Sequence, residues 1–244
     1  SDTALIGYIS AVMVVLHLIA IEGFGFFRDE FYYISCSEHL SFGYVDQPPL
    51  SILILKIMRF IFGDSIFALR ILPVVSSGIL VFMTGLIARE LGGKRFAMIL
   101  ASLSVFVHMG NFFLYSIYTM NFIDQLFWLA LIYLVIKIVK TEDPALHRKY
   151  WLIFGLVAGL GLQNKISVLF IAFALAAGLV LTPHRKHFTN KYLWFGAGIA
   201  GIIFLPYVIW NMANGWPSLE FMHNARTVKM ASIPPMEFLV QQIN

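Results

Sequence analysis

Residues 66–90, IFALRILPVVSSGILVFMTGLIARE, decide the fold class, because no charged side chain occurs from Ile71 to Ala88. As a helix this segment is long enough to cross a hydrocarbon core of roughly 30 Å with its backbone polar groups satisfied internally. The composition agrees, since 59% of the residues are hydrophobic, 12% are charged and the mean hydropathy is +0.81. Soluble domains carry about 25% charged residues. The sequence therefore predicts an all-α integral membrane protein.

The hydropathy pattern predicts a single domain over residues 1–244, a polytopic bundle of about seven membrane helices. The predicted spans are 3–24, 66–90, 94–109, 121–139, 150–163, 166–182 and 192–210. Residues 49–62 are apolar but too short to span, and Lys56 and Arg59 favour a helix lying at the membrane interface. Residues 30–40 predict a second juxtamembrane helix, which ends before the glycine and prolines that follow.

Basic residues predict the orientation of the bundle, because short cytoplasmic loops are enriched in Lys and Arg. The connectors after the second, fourth and sixth predicted spans are basic, with Arg89, Lys94, Arg95, Lys137, Lys140, Arg148, Lys149, Arg185, Lys186 and Lys191. We therefore expect a multi-pass protein of the inner or plasma membrane with its N-terminus in the cytoplasm. The long connector 25–65 and the tail 211–244 then face outward, and the tail reads as an outer loop cut short. The net charge of +4 reflects this asymmetry, so no nucleic-acid partner is predicted.

The first outer connector contains RDEFYYISCSEHLSFGYVDQPPL (28–50), which places Asp29, Glu30 and Asp46 at the outer membrane surface. A carboxylate there can reach a lipid-borne and a water-borne group, and can take the proton of an attacking hydroxyl as a general base. Glycosyl transfer from a lipid-phosphate donor needs side chains in this position. The alternative is that Asp29 and Glu30 only cap the juxtamembrane helix, where negative charge is favourable by about 0.3–1 kcal/mol.

Two further ionisable residues lie near the outer ends of predicted spans. Asp124 is at membrane depth, where burial of charge is expensive and a functional role is the default interpretation. A hydrogen bond to a neighbouring helix is the alternative. Lys165 stands in the outer turn between two spans, where its ammonium can hold a phosphate as a point charge, or else snorkel to the surface. Arg28, Arg70 and Arg226 are lesser candidates for the phosphate.

Several ordered motifs carry a family resemblance. They are DEFYY (29–33), GYVDQPPL (43–50), FGDSIFALRILP (62–73), ARELGG (88–93), YTMNFIDQLFW (118–128), GLGLQNKISVLF (159–170), LPYVIWNMANGWPSLEF (205–221) and PPMEFLVQQI (234–243). The set resembles glycosyltransferase family 39, the protein O-mannosyltransferase-like membrane enzymes of GT-C architecture, whose bacterial members include aminoarabinose transferases acting on lipid A. Members are usually longer, so the resemblance implies that this chain is an N-terminal part.

The resemblance implies roles for individual residues. Asp29 matches the presumed catalytic carboxylate, and Glu30 is the neighbour that orients Asp29 or contacts the sugar. Asp46 matches the acidic position before the double proline, a substrate-binding position. The next residue is Gln47 where the aminoarabinose transferases have Lys, which argues against the same substrate. Asp46 with His223 is the one candidate pair for a divalent metal ion, and no other cofactor is predicted.

The predicted function is transfer of a sugar from a polyprenyl-phosphate donor to a lipid, glycan or protein acceptor on the outer face. Membrane lipids surround the bundle. A transporter or lipid flippase is the main alternative, but such proteins usually show repeated halves and helices interrupted near the midplane. A non-catalytic scaffold explains the hydrophobicity but leaves the ordered acidic and proline motifs without a role.

Overall fold

Each of the seven apolar segments forms a helix in the computed structural model, which describes residues 2–23, 25–229 and 233–241. The α-helices are α1 (Asp2–Ala20), α2 (Arg28–Glu38), α3 (Leu50–Phe62), α4 (Ile66–Glu90), α5 (Arg95–Phe106), α6 (Met109–Leu114), α7 (Met120–Lys140), α8 (Pro144–Asn164), α9 (Val168–Val180), α10 (Lys191–Ala213), α11 (Pro217–Asn224) and α12 (Pro235–Gln241). A 3-10 helix, Pro183–Thr189, follows α9, and a π-helical turn, Ala225–Lys229, follows α11. No strand occurs among these residues. The predicted all-α bundle is confirmed.

Among the described residues, four helices are long and apolar enough to cross a membrane: α1, α4, α7 and α10. The number rises to five if α9 and the 3-10 helix, bent by 113° at their break, form one span. The other predicted spans are shorter or more polar: α5 has 12 residues and rises only about 18 Å, and the first turns of α8 carry Arg148 and Lys149. The chain is a multi-pass membrane protein, whereas the count of seven crossings stays a prediction.

The two juxtamembrane helices predicted in the first connector are present as α2 and α3. Arg59 of α3 joins them, because its guanidinium donates to Ser37 Oγ at 2.6 Å and to the Ile34 carbonyl at 3.2 Å. The same guanidinium pairs with Glu38 and Asp64. These bonds fix α2 and α3 as one unit beside the ends of the spanning helices.

The spanning helices pack as a row in which α4 contacts α1, α5 and α7, and α8 contacts α7 and α10. The approach of α8 to α10 is close because glycines face each other. A Cβ on Gly155 would collide with the Gly196 carbonyl oxygen. Much of the remaining helix surface is apolar and exposed, including Ile19, Phe170 and Phe173. A soluble monomer rarely exposes apolar patches of this extent, so this surface faces lipid.

The bundle has two chemically distinct ends. At one end, which we call the basic end, Arg95 lies 3.9 Å from Asp2 and Lys137 lies 3.5 Å from Glu90. These contacts gather the start of α1, the α4–α5 connector and the end of α7. The other end, the acidic end, gathers α2, α3, the start of α7 and the α8–α9 turn. The candidate residues predicted from the first connector all lie at the acidic end.

Candidate active site

Glu30 and Arg70 form a buried ion pair at the acidic end. Arg70 Nε donates to Glu30 Oε1 at 3.0 Å and Arg70 Nη2 donates to Oε2 at 2.8 Å. Both residues have 0% exposure. A two-point arginine–carboxylate contact fixes orientation as well as distance. The pair therefore anchors the first turn of α2 to α4.

Both members of this pair also form hydrogen bonds with backbone groups. Glu30 accepts the backbone N–H groups of Phe27 and Tyr118, at 2.8 and 2.9 Å. Arg70 donates to the carbonyl oxygens of Ile21 and Gly25, at 3.0 and 2.8 Å. This network joins the end of the first span, α2, α4 and the segment before α7. Of the two roles predicted for Glu30, burial favours orienting Asp29 over contacting a sugar.

Asp29 is the neighbour of Glu30 in the first turn of α2, but its side chain is 45% exposed. Arg28 Nε donates to Asp29 Oδ1 at 3.1 Å, and the Arg28 side chain is itself 89% exposed. An exposed pair of this kind contributes little to stability. The Asp29 carboxylate is thus accessible, while the turn that carries it is held by the Glu30–Arg70 pair.

Asp46 is connected to α2 by a tyrosine. Tyr32 donates its hydroxyl to Asp46 Oδ1 at 2.5 Å. Burial raises the pKa of Tyr32 well above its ordinary value, and the hydrogen bond to Asp46 adds to the shift. Burial likewise raises the pKa of Tyr33, and the carboxylates of Asp46 and Asp29 both add to the effect. Tyr32 follows Asp29 by three residues on α2, so its hydrogen bond connects Asp46 to the helix that carries Asp29.

Gln47 differs from its neighbours because it is fully buried and unpaired. Its exposure is 0%, and neither Oε1 nor Nε2 has a hydrogen-bond partner among the described residues. The Oγ atom of Ser51, one helical turn along, is also buried and without a partner in that part of the chain. An unmade hydrogen bond at a buried group costs about 1–3 kcal/mol. A ligand group that paired with Gln47 would recover this cost.

Lys165 and Asp124 are joined in a second polar cluster at the acidic end. Lys165 Nζ lies 2.7 Å from Asn121 Oδ1 and 3.7 Å from Asp124 Oδ2. The Ser167 hydroxyl lies 2.7 Å from both oxygens of Asp124. Asp124 therefore has the hydrogen bond to a neighbouring segment that was its alternative interpretation, and its functional role stays a prediction. Lys165 is 32% exposed, so its ammonium also reaches the surface.

Two cavities open at or near these residues. The first has a volume of about 410 Å³ and a mainly apolar lining from the end of α2, the start of α3, α8 and α10, including Phe42, Pro49 and Gln163. The second has a volume of about 490 Å³ and lies against α4, α5, α6 and α7, with Asp124 and Asn111 in its wall. Both are large enough for part of an apolar ligand.

The two candidates from the tail lie apart from these clusters in the contacts that the structure records. His223 ends α11 and Arg226 lies on the π-helical turn, and both are exposed. The described residues contain no group of three or more His, Cys, Asp or Glu side chains arranged for a metal ion. Asp46 is bonded to Tyr32 instead. Within the described part of the chain Asp46 and His223 therefore have no third ligand of this kind, and no chemical step is assigned to a metal.

The sequence profile of one protein family matches most of the chain. The profile of the dolichyl-phosphate-mannose-protein mannosyltransferases matches residues 46–210, more than half of the chain. The chain belongs to the dolichyl-phosphate-mannose-protein mannosyltransferase family. The family match includes Asp46, Gln47, Arg70, Asp124 and Lys165. Asp29, Glu30, His223 and Arg226 lie outside the matched range.

One curated protein with a similar sequence is the undecaprenyl phosphate-alpha-4-amino-4-deoxy-L-arabinose arabinosyl transferase 2 of Proteus mirabilis (strain HI4320). It is 25% identical over 175 residues, which is 70% of this chain and 31% of the relative. The chain therefore spans about a third of the relative's length. No solved structure matches the chain.

Three tyrosines of the site were not predicted from the sequence as individual site residues. Tyr32 and Tyr33 belong to the DEFYY motif, and Tyr118 belongs to YTMNFIDQLFW. In the structure Tyr33 Oη accepts the Met120 N–H at 2.9 Å, and the Tyr118 hydroxyl donates to the Ser51 carbonyl at 2.6 Å. A tyrosine next to clustered carboxylates in the sequence indicates that its hydroxyl forms a hydrogen bond. Which group it bonds to depends on how distant segments pack.

Proposed function

We propose that the protein is a membrane glycosyltransferase that takes a sugar from a polyprenyl-phosphate donor. The acceptor is a lipid, glycan or protein at the outer face of the membrane. The observation that carries this proposal is the acidic end, where the accessible Asp29 carboxylate sits on a helix turn locked by the Glu30–Arg70 pair. Family membership and the sequence resemblance support the same reaction class.

The proposed base is Asp29. An acceptor hydroxyl attacks the anomeric carbon of the donor, its proton passes to the Asp29 carboxylate, and the bond from that carbon to the phosphate oxygen breaks. Polyprenyl phosphate leaves as a stable anion and needs little acid assistance. General-base catalysis contributes about 10²–10⁴-fold when the base is correctly placed. In this scheme Glu30 is a positioning residue. Arg70 binds Glu30 and does not bind the donor phosphate.

We assign the donor phosphate to Lys165. Its ammonium is partly exposed and its recorded partners are a neutral amide at 2.7 Å and the more distant Asp124 carboxylate. Asp124 and Ser167 then hold the turn that presents Lys165. An incoming phosphate gains a charge-assisted bond, which is stronger than a neutral hydrogen bond. His223 and Arg226 stay as proposed ligands from the tail.

The apolar cavity beside α3 fits the prenyl chain of the donor. It begins at Pro49 and Leu50, directly after Asp46 and Gln47, and its wall includes helices exposed to lipid. We propose that Asp46, Tyr32 and Gln47 contact the sugar, because Asp46 and Gln47 lie within three residues of Pro49 in the cavity wall and Tyr32 is bonded to Asp46. The unpaired Gln47 amide is a neutral substitute for a cation, which favours a sugar different from that of the aminoarabinose transferases.

We further infer that the acidic end faces outward and that the N-terminus lies in the cytoplasm of an inner or plasma membrane. The support is the concentration of Lys and Arg in the connectors of the basic end. This orientation places donor and acceptor on the side where envelope glycans, lipids and exported proteins are accessible.

The function is tested by transfer of a labelled sugar from synthetic polyprenyl phosphates to cell-envelope extracts, using the intact protein in proteoliposomes. We expect label to move into an acceptor fraction and polyprenyl phosphate to be released in equal amount. Movement of the unchanged donor between leaflets, without release of polyprenyl phosphate, would instead support the flippase alternative.

A further inference from the structure

Three histidines meet at the basic end, between α8, the 3-10 helix and α10. His147 Nε2 lies 3.1 Å from His187 Nδ1, and the rings of His184 and His187 stack with centroids 5.9 Å apart. Asn190 Nδ2 lies 2.9 Å from His147 Nδ1. This cluster belongs to no part of the site at the acidic end.

The hydrogen-bond pattern determines where the protons lie. Asn190 Oδ1 accepts the Tyr192 N–H at 2.8 Å, so the Asn190 amide group must donate to His147 Nδ1. His147 then carries its proton on Nε2 and donates it to His187 Nδ1. This leaves the proton of neutral His187 on Nε2. That donor is buried and has no partner among the described residues, and His187 is only 8% exposed.

Buried polar groups in native proteins nearly always have a hydrogen-bond partner. His187 Nε2 therefore calls for an acceptor. His184 Nδ1 is a second buried ring nitrogen in the described part of the chain that has no partner. These two atoms lie on neighbouring stacked rings, so the cluster offers two unpaired ring nitrogens to a ligand.

The charges around the cluster specify what kind of acceptor it is. Five basic residues lie within four sequence positions of these histidines, and none forms an ion pair with a carboxylate of the described residues: Arg148, Lys149, Arg185, Lys186 and Lys191. The adjoining connector contains two carboxylates, Glu142 and Asp143. Asp143 caps α8 by accepting the Ala145 N–H. An excess of cations favours an anionic acceptor.

An apolar cavity lies directly beside the histidines. Its volume is about 140 Å³, and its wall includes Trp151, Ala172, Ala176, Leu179, Phe188 and Gly196. The Trp151 ring joins the two features, because its centroid lies 6.3 Å from those of both His147 and His187. A cavity of about 150 Å³ holds a molecule the size of benzene, so this one holds a short stretch of hydrocarbon chain.

We propose that this region is a binding site for an anionic phospholipid. The lipid phosphate accepts the His187 Nε2 proton and is attracted by the five basic side chains, while part of one acyl chain enters the cavity beside Trp151. Trp194 lies on the same side, is 60% exposed and donates to the Phe188 carbonyl, as expected of an aromatic side chain at headgroup level. Basic pockets between membrane helices are a known mode of binding to anionic headgroups.

The test measures lipid binding to the intact protein in detergent by native mass spectrometry, with dioleoyl-phosphatidylglycerol and dioleoyl-phosphatidylcholine as probes. We expect phosphatidylglycerol to bind at least about tenfold more tightly than phosphatidylcholine. The exposed double variant Arg185→Gln/Lys186→Gln should lower phosphatidylglycerol affinity by about tenfold or more. Ala176→Leu should weaken it independently by filling the cavity, with no change in charge.

A matched control is Lys94→Gln/Arg95→Gln, which removes the same charge from the α4–α5 connector at the same end of the bundle. Its affinity for phosphatidylglycerol should stay within about twofold of wild type. Equal loss in both double variants would overturn a specific site in favour of general surface electrostatics. Equal binding of the two lipids, or unchanged binding by Ala176→Leu, would also overturn the proposal.

Discussion

The guanidinium of Arg70 spans both carboxylate oxygens of Glu30, with N–O distances of 3.0 and 2.8 Å, in a pair closed to solvent. The contact joins residues 40 positions apart in the chain. Because desolvation of two charges offsets much of their attraction, the pair contributes a fixed geometry more than net stability. Asp29, the residue before Glu30, lies on the helix turn that this contact holds at the acidic end.

Replacing one member of the pair should destabilise the protein strongly. Arg70→Met leaves Glu30 buried without its countercharge, and breaking a buried pair in this way costs about 3–5 kcal/mol. The measurement is thermal or denaturant unfolding of purified protein in a fixed detergent. Arg28→Gln is the control, since the exposed Arg28–Asp29 pair should contribute at most about 1 kcal/mol. Similar losses in the two variants would contradict the anchoring role of Arg70.

Lys165→Met should weaken donor binding without unfolding the protein. Loss of a charge-assisted hydrogen bond costs about 1.5–3 kcal/mol, which corresponds to about a tenfold or greater rise in the donor Kd. Direct binding of a fluorescent polyprenyl phosphate provides the measurement. Lys94→Met, at the basic end, should bind as wild type does. Unchanged donor affinity in Lys165→Met would leave Lys165 as a surface lysine paired to Asn121.

Tyr32→Phe should lower kcat/KM by about two- to tenfold, because it removes one hydrogen bond to the Asp46 carboxylate. The folded-state pKa of Tyr32 lies above its unfolded value near 10, owing first to burial and then to Asp46. The associated stability is therefore fully present below about pH 10 and is lost only as pH rises further. Between pH 6 and 9 the ratio of wild-type to variant activity should stay constant. A ratio that titrates within this range would show that Tyr32 ionises at working pH.

The orientation is tested with single cysteines in a Cys36→Ser background, since Cys36 is the only cysteine of the chain and is buried. A cysteine at the exposed position Phe42 should react with a membrane-impermeant thiol reagent added to intact cells. A cysteine at Ala145 should react only after permeabilisation. The reverse pattern would place the acidic end in the cytoplasm and exclude the proposed outer-face reaction.

The sequence predicts the helices well because uncharged stretches of span length have few alternatives in lipid. The juxtamembrane helices α2 and α3 are also predicted within two residues of most of their observed limits. The least accurate limits are the end of α1, predicted at 24 and observed at Ala20, and the start of α8, predicted at 150 and observed at Pro144, because hydropathy does not detect the polar first turns of α8. Where the helix stops depends on packing against neighbours.

The site is only partly predictable for a related reason. Composition and motif order locate Asp29, Asp46 and Lys165, but they do not reveal which polar groups bond to each other. Arg70 is an example, because an arginine near a span end suits a phosphate or a carboxylate equally well. The fold places the Glu30 carboxylate next to Arg70, so the partner of Arg70 is a carboxylate. The lack of a partner for Gln47 is likewise visible only after packing.

The proposed role of Asp29 as general base is tested by measuring the turnover of Asp29→Asn. The two side chains are nearly equal in size, so helices and donor binding should be retained. Asp64→Asn is a matched control, because it changes an exposed carboxylate of the same connector that is paired with Arg59 instead. The assay follows sugar transfer by the intact protein to its own acceptor, with donor affinity measured in parallel. We predict a loss of about 10²–10⁴-fold in kcat for Asp29→Asn and less than twofold for Asp64→Asn. Turnover of Asp29→Asn within about twofold of wild type would contradict the account and leave Asp29 as a helix cap.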